Sequence, residues 1–381
     1  MQEKQITALL YGNLHKDPSK QIKYGMLFDA LSSHYPGLDI YNTDLEGLPR
    51  LVNAAVSFHP DRQLWKERFY KNLPAFRMRS KGSHAYLTKH QKDIDLVLQI
   101  GCLQNPNWKP LNIPVIIYTD YISSLSAEKA EGGYGRSPFN SSQQEKWIQY
   151  EKDALFQADH IFSRSHFVKE RMLQDYGLPN EKISVVGGGF NFPPLDQMPE
   201  REFTKEGKIL FIGKDFYRKG GDLLLKAFRE VVFPAVPGSR LQMVTSYPAE
   251  MGDPGLAVEI IAPTYDRQKI QELYKQADVF CLCSRLETWG DVILEANAFG
   301  LPCVAVQGEA FDELIQNRET GITVPHENIL ALGDALKDLL LNPRERQRMG
   351  KNAFNYVNQE FTWSSVVRRM LPTINSLIPS E

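Results

Sequence analysis

Ile209-Leu-Phe-Ile-Gly-Lys-Asp-Phe-Tyr-Arg-Lys-Gly-Gly221 reads as a strand ending in glycine, a loop with three cations, and paired glycines opening a helix that runs through Leu223 to Phe228. A short β-branched apolar run followed by a loop and an amphipathic helix is one βα unit of a parallel sheet. The unit recurs on both sides. Downstream, candidate strands span Leu241 to Thr245, Val279 to Leu282, Cys303 to Val306 and Gly321 to Val324. Upstream they span Ile6 to Leu10, Leu96 to Ile100, Val115 to Tyr118, His160 to Ser163 and Ile183 to Val186. Between the two series lies a loop-like stretch with Pro193, Pro194 and Pro199, which places a linker near residues 192–206. The expected class is therefore α/β, with two doubly wound Rossmann-like domains, 1–198 and 206–358, facing across a cleft. A last amphipathic helix, within about 360–381 and capped at Thr362, is expected to return to the first domain. Ligands in such sheets bind outside the carboxyl ends of the strands.

At 381 residues the chain exceeds what one core usually organises, which agrees with two domains. Its 42% hydrophobic and 24% charged content and net charge of -2 are near globular averages and argue against a disordered, collagenous or nucleic-acid-coating protein. Cys102, Cys281, Cys283 and Cys303 form no CxxC pair and read as reduced, buried hydrophobes. The polar, charged start MQEKQITALLYGNL is unlike a signal peptide, and no apolar run approaches a membrane span, so a cytoplasmic protein is expected, with peripheral contact at the inner face of a membrane left open.

The segment from Ser284 to Pro302, SRLETWGDVILEANAFGLP, is a loop leading into a helix that starts near Asp291 and stops at Gly300 and Pro302. Glu287 falls on the loop and Glu295 in the first or second helical turn, so both carboxylates can face one ligand at the helix N-terminus. The backbone N–H groups of Gly290, Asp291 and Val292, next to Trp289, suit a phosphate there. A carboxylate accepts paired hydrogen bonds from vicinal hydroxyls, and two of them beside a phosphate cradle suit a ribose and a hexose. Lys214, Arg218 and Lys219 of the cationic loop can converge on a diphosphate and neutralise charge as a nucleotide leaves. The bland alternative makes Glu287 a loop charge, Glu295 a surface residue and the cations a solvated loop.

Together, Glu287-x7-Glu295, the GKDFYRKGG loop, GEAFDELIQNRETGITVP at 308–325 and SRSHFVKERMLQDYGLPNEKISVVGGGFN at 163–191 resemble the retaining glycosyltransferases of family 4, the group 1 glycosyl transferases with the GT-B fold. The resemblance covers nearly the whole chain and is strongest from 155 to 330. It implies that Glu287 contacts the transferred sugar, that Glu295 contacts the ribose, and that Lys214 and Lys219, with Arg218 as a substitute, bind phosphate. It also implies that Gly189 lies along the cleft and that Gly12 belongs to the loop after the first strand. Two departures stand out. Gly12-Asn13 replaces the family's paired glycines, and Thr119-Asp120 stands where relatives often carry a histidine. The implied reaction is metal-independent transfer of a hexose from a nucleotide-sugar, a UDP-sugar before a GDP-sugar, to a hydroxyl of a glycan, lipid-linked or small-molecule acceptor. No cofactor is expected.

No feature identifies a nucleophile flanking the sugar, so same-face attack by the acceptor is expected, with the proton leaving to the β-phosphate or to a group such as Asp120. Base recognition is expected near Thr245 to Tyr247 and Pro263 to Tyr265, placing Thr245 and Thr264 at the donor. Asp93-Ile94-Asp95 imitates a DxD metal motif but precedes an apolar strand and reads as its solvated entrance. Between Arg62 and Lys92 nine lysines and arginines face the single acid Glu67, with Trp65, Phe69, Tyr70 and Phe76 interleaved. This segment either contacts an anionic acceptor or anionic lipid, or is a solvated helix with inward aromatics. Competing functions are a nucleotide-sugar epimerase or phosphorylase on the same fold, and a non-catalytic nucleotide-sugar-binding protein.

Overall fold

The computed structural model describes residues 4–130, 138–200, 207–255 and 257–378. The chain divides into two compact units, Met1–Gly187 with Val367–Glu381, and Gly188–Val366. The division thus falls ahead of the expected boundary at 198. Phe190 and Phe192 explain the difference, because both bury their rings in the hydrophobic core of the second unit. Residues 201–206 of the expected linker lie outside the described residues.

The first unit contains one six-stranded parallel sheet of β1 (Ile6–Leu10), β2 (Asp39–Asn42), β3 (Leu96–Ile100), β4 (Val115–Thr119), β5 (His160–Ser163) and β6 (Ile183–Val185), in the order β2-β1-β3-β4-β5-β6. The second contains β7 (Lys208–Asp215), β8 (Arg240–Ser246), β9 (Val258–Ile261), β10 (Val279–Leu282), β11 (Cys303–Val306) and β12 (Gly321–Val324), in the order β12-β11-β10-β7-β8-β9. All the pairings are parallel. The inner strands β1, β3, β4, β10 and β11 are buried along their whole length, as expected where helices cover both faces.

Two strands escape sequence reading, β2 and β9, and both are sheet edges. One side of an edge strand has no neighbour, so its sequence need not be a continuous apolar run. Asp39-Ile-Tyr-Asn42 and Val258-Glu-Ile-Ile261 accordingly carry charge and are half-exposed.

The final helix, Trp363–Leu377, begins just after Thr362, whose Oγ1 accepts from Ser365 N at 3.1 Å. Its later part belongs to the first unit. Arg369 Nε donates to the Val186 carbonyl at 2.8 Å, and Lys4 Nζ and Tyr35 Oη donate to Asn375 Oδ1 at 3.2 and 3.0 Å. Asp95 Oδ2 accepts from Gln5 N at 2.7 Å, so this member of the DxD-like triplet ties the entrance of β3 to that of β1.

Candidate active site

In the second sheet the chain runs outward from β7 to β8 and β9, then returns to β10 on the other side of β7. The carboxyl ends of β7 and β10 form the topological switch point, where an open α/β sheet leaves a crevice for ligand. The loops that leave these two ends are the GKDFYRKGG and SRLETWG segments.

The two loops are locked together by backbone contact. Gly220 has φ +76°, and a Cβ placed on it would lie 2.0 Å from the Cys283 carbonyl oxygen, so only glycine allows the approach. Arg285 N donates to the Arg218 carbonyl at 2.8 Å. The buried Arg285 guanidinium grips Asp222 through two bonds of 2.7 and 2.8 Å, reaches Glu327 at 2.6 Å, and donates to the Tyr217 carbonyl. This bidentate anchor fixes the start of the helix Gly221–Ala227 against the second loop.

Lys219 and Glu287 meet on this frame as an ion pair between Nζ and Oε2. Burial lowers the Lys219 pKa, and the Glu287 carboxylate opposes that shift. The Glu287 backbone N–H donates to a Glu309 carboxylate oxygen, which holds the loop from the side of β11. Arg218 is tied by Nη1 to the Leu286 carbonyl at 3.1 Å and lies 3.4 Å from Asp215. Lys214 is exposed near the end of β7. Of the three cations, Lys219 and Arg218 therefore converge on the second loop, and Lys214 points to solvent.

The helix Asp291–Ala298 starts from Gly290, whose φ of +111° turns the chain into it. Asp291 and Val292 are half-buried in its first turn, and Trp289 is buried with its ring 5.7 Å from that of Phe361. Glu295 is also buried. Its Oε1 accepts from Arg267 Nη2 at 2.8 Å and its Oε2 from Tyr274 Oη at 3.1 Å. Burial raises the Glu295 pKa, and the Arg267 guanidinium pulls it back. Arg267 also donates to the Asn191 carbonyl at 2.9 Å and stacks over Phe192, 3.7 Å from the ring centroid. Gly189 lies in the same segment. A Cβ there would come within 2.7 Å of the Trp363 backbone nitrogen and 2.6 Å of its ring. Asn191 Oδ1 accepts from Trp363 Nε1 at 3.1 Å.

Sequence reasoning missed Arg267, Tyr274, Arg285 and Glu309. Arg267 and Tyr274 lie on a helix of ordinary local pattern and only folding brings them to Glu295, while Arg285, within the quoted Ser284–Pro302 segment, meets Asp222 and Glu327 across the fold. Glu309 lies inside a segment that the resemblance singled out, yet no spacing rule tied it to Glu287. Thr245 is buried near the end of β8 with an unpartnered Oγ1, and neither Tyr247 Oη nor Trp289 Nε1 has a partner. Thr264 follows the edge strand β9, and its Oγ1 accepts from Asp266 N at 3.0 Å, which makes it part of the turn into the helix Arg267–Gln276.

Residues 195–356 match the family model Glycosyl transferases group 1. The D-inositol 3-phosphate glycosyltransferase of Corynebacterium glutamicum is 26% identical over 362 residues, 87% of this chain and 83% of that protein. Residues 195–356, all within the second unit, thus form a group 1 glycosyl transferase segment. The sucrose-phosphate synthase of Thermosynechococcus elongatus has a similar fold, with a TM-score of 0.71 at 20% identity over 98% of this chain and 99% of that one. Anabaena HepE in complex with UDP and glucose superposes with a TM-score of 0.62 at 13% identity over 98% of this chain and all of the other. These neighbours share the GT-B fold of two Rossmann-like domains.

In the first unit, Gly12 and Asn13 follow β1 beside its neighbour β3, at the switch point of the first sheet. Gly12 has φ +95° and donates its N–H to Asn42 Oδ1 at 3.1 Å, and Asn13 Oδ1 accepts from His15 N and Lys16 N at 2.9 and 3.0 Å. The single glycine meets the positive φ, and the asparagine side chain builds the turn. Asp120 follows β4 and pairs with Lys23 at 2.8 Å. Burial alone would raise its pKa, but the Lys23 ammonium and Arg164 guanidinium hold it well below the carboxylate range. A carboxylate so stabilised is a poor proton acceptor near neutrality. The basic segment folds into the helices Arg62–Tyr70 and Leu73–His90, with Phe76 buried, Trp65 and Phe69 half-buried and Tyr70 exposed.

Proposed function

We propose that this protein moves a hexose from a UDP-sugar to a hydroxyl of an acceptor with retention of configuration, as a family 4 enzyme working in the cytoplasm. The observation that carries the reading is the pairing of Glu287 with Lys219 at the switch point, on the loop that leads into the helix of the buried Glu295. Glu295 accepts hydroxyls of the ribose in place of, or beside, Arg267. Glu287 meets the hexose. Lys219, with Arg218, stabilises the diphosphate as the glycosidic bond breaks, and the backbone N–H groups of Gly290 to Val292 receive its oxygens. Fixed cations in this position supply the charge stabilisation that a divalent metal gives elsewhere, so the reaction runs without one.

UDP is favoured as the nucleotude carrier's base and phosphates because HepE, of similar fold, was solved with UDP and glucose. The relatives' names include acceptors that carry phosphate, such as D-inositol 3-phosphate, which makes a phosphorylated small molecule one acceptor class to test alongside glycans and lipid-linked sugars. Same-face attack assigns the acceptor's proton to the departing phosphate, since Asp120 is held ionised by Lys23 and Arg164. Free, buried Cys102, Cys281, Cys283 and Cys303 fit a reducing compartment.

The deciding experiment is a thermal-shift and hydrolysis panel of UDP-, GDP- and ADP-sugars on wild type and Glu295→Ala, with chelator present. Stabilisation and slow hydrolysis with one UDP-sugar, both lost in Glu295→Ala, are expected. Donor binding without any hydrolysis or transfer would instead favour a nucleotide-sugar-binding protein, and no stabilisation by any nucleotide would remove the donor-site reading.

A further inference from the structure

The helix Gly47–Val56 is built inside out. Its one buried residue is the polar Asn53, whose Nδ2 donates to the Phe69 carbonyl at 2.9 Å and whose Oδ1 accepts from Asn72 Nδ2 at 2.7 Å. Trp65 Nε1 adds a bond to the Ala54 carbonyl at 3.2 Å. The helix is thus held to its unit by polar bonds, and its apolar side chains face away. Leu48, Leu51 and Val56 are 72%, 68% and 58% exposed, Val52 and Ala55 are exposed beside them, and Phe58 just beyond the helix is 63% exposed. At about 100° per residue these helical positions fall within an arc of roughly 140°, a continuous stripe. A soluble surface helix shows the reverse arrangement, and a contiguous exposed stripe marks a surface that is covered in use.

Charge selects the partner. Between residues 47 and 92 there are ten lysines and arginines against the acids Asp61 and Glu67, in a chain whose net charge is -2. Arg50, Arg62, Lys66, Lys81, Lys89 and Lys92 are exposed. Half-buried Trp65, packed edge-on against Phe58 at 5.8 Å, supplies an amphipathic ring of the kind favoured at a lipid–water boundary. The exposed parts of Leu48, Leu51, Val52, Val56 and Phe58 amount to on the order of 500 Å², below the roughly 800 Å² per partner of a stable protein dimer. That area suits shallow insertion into a headgroup layer, where nearby cations add attraction to anionic lipid. Among the described residues no helix is long and apolar enough to cross a membrane.

We propose that the helix Gly47–Val56, with Phe58 and the adjoining basic helices, docks the first unit on an anionic membrane surface by inserting Leu48, Leu51, Val52 and Val56 among the headgroups. The inference stands on this surface alone and does not depend on the identity of the donor or acceptor. It assigns to the exposed apolar stripe the membrane contact for which the basic residues by themselves supply only long-range attraction.

The test is flotation of the full chain with vesicles of phosphatidylcholine alone and with admixed phosphatidylglycerol, comparing wild type with the Leu51→Asp, Val56→Asp double variant. Wild type should float with the anionic vesicles only, and the double variant should lose about tenfold of the bound fraction. Both substituted side chains are exposed, so the melting temperature and any nucleotide-induced thermal shift should be unchanged. Failure of wild type to float with anionic vesicles, or equal flotation of the double variant, would overturn the proposal. So would a wild-type dimer in solution that the double variant dissociates, because a second copy would then be the occupant.

Discussion

Arg267 and Glu295 form an ion pair in which one guanidinium nitrogen, 2.8 Å from the carboxylate, also lies 2.9 Å from the Asn191 carbonyl. One side chain therefore links the helix of the second glutamate to the segment that opens the second unit. A ribose that hydrogen-bonds Glu295 must share it with Arg267, so the guanidinium sets both the carboxylate's charge and its direction.

Donor affinity should carry an acid limb that reports Glu295. Its pKa is raised by burial despite Arg267, so on acidification it protonates earlier than an ordinary glutamate and stops accepting two hydroxyl bonds. Affinity should be full above that raised pKa and fall as pH drops through it. Arg267→Ala removes the opposing charge and should move the limb to higher pH. Glu295→Gln should weaken binding by about 10–100-fold and flatten the limb, as read by calorimetric titration of the best nucleotide across pH.

Lys219→Met should separate turnover from stability. Losing the cation at the diphosphate should lower kcat by about 10²–10³-fold. It also leaves Glu287 nearly buried without its partner, a cost of roughly 2–4 kcal/mol, below the full buried-pair penalty because both side chains keep some solvent contact. Adding Glu287→Gln should restore most of the melting temperature and none of the rate. Recovery of rate in the double variant would remove both Lys219 and Glu287 from the chemistry and leave them a structural pair.

Gly220→Ala should be among the most damaging single-methyl changes. The added carbon would meet the Cys283 carbonyl at 2.0 Å in a backbone conformation with φ +76°, so strain and overlap act together. A loss of roughly 2–4 kcal/mol by denaturant unfolding is expected, with loss of nucleotide-induced stabilisation, since the two loops could no longer close on each other. Gly308→Ala is the control, because its Cβ would meet nothing within 4 Å although φ is +83°.

The strands that build the two sheets were readable where they form buried apolar runs, the edge strand Gly321 to Val324 included. Val279 to Leu282 and Cys303 to Val306 are buried on both faces, and the demand for continuous apolar residues writes itself into the sequence. The edges β2 and β9 carry no such demand and were not visible. The helix after Gly290 was also legible, since its starting glycine and its stop at Gly300 and Pro302 are local signals.

What the sequence by itself determined is the class of fold, the switch-point loops and the glutamates Glu287 and Glu295 on loop and helix, because periodicity, glycine placement and an eight-residue interval are local properties of the chain. Tertiary structure alone decided that Lys219 pairs with Glu287, that Arg267 and Tyr274 hold Glu295, that Arg285 locks the loops, and that Leu48, Leu51 and Val56 face outward. Each of these joins groups separated along the chain or depends on which face of a helix meets its neighbours. The helix Gly47–Val56 shows the reason most directly: its periodicity is that of any amphipathic helix, and the choice of face was made by the bonds of Asn53.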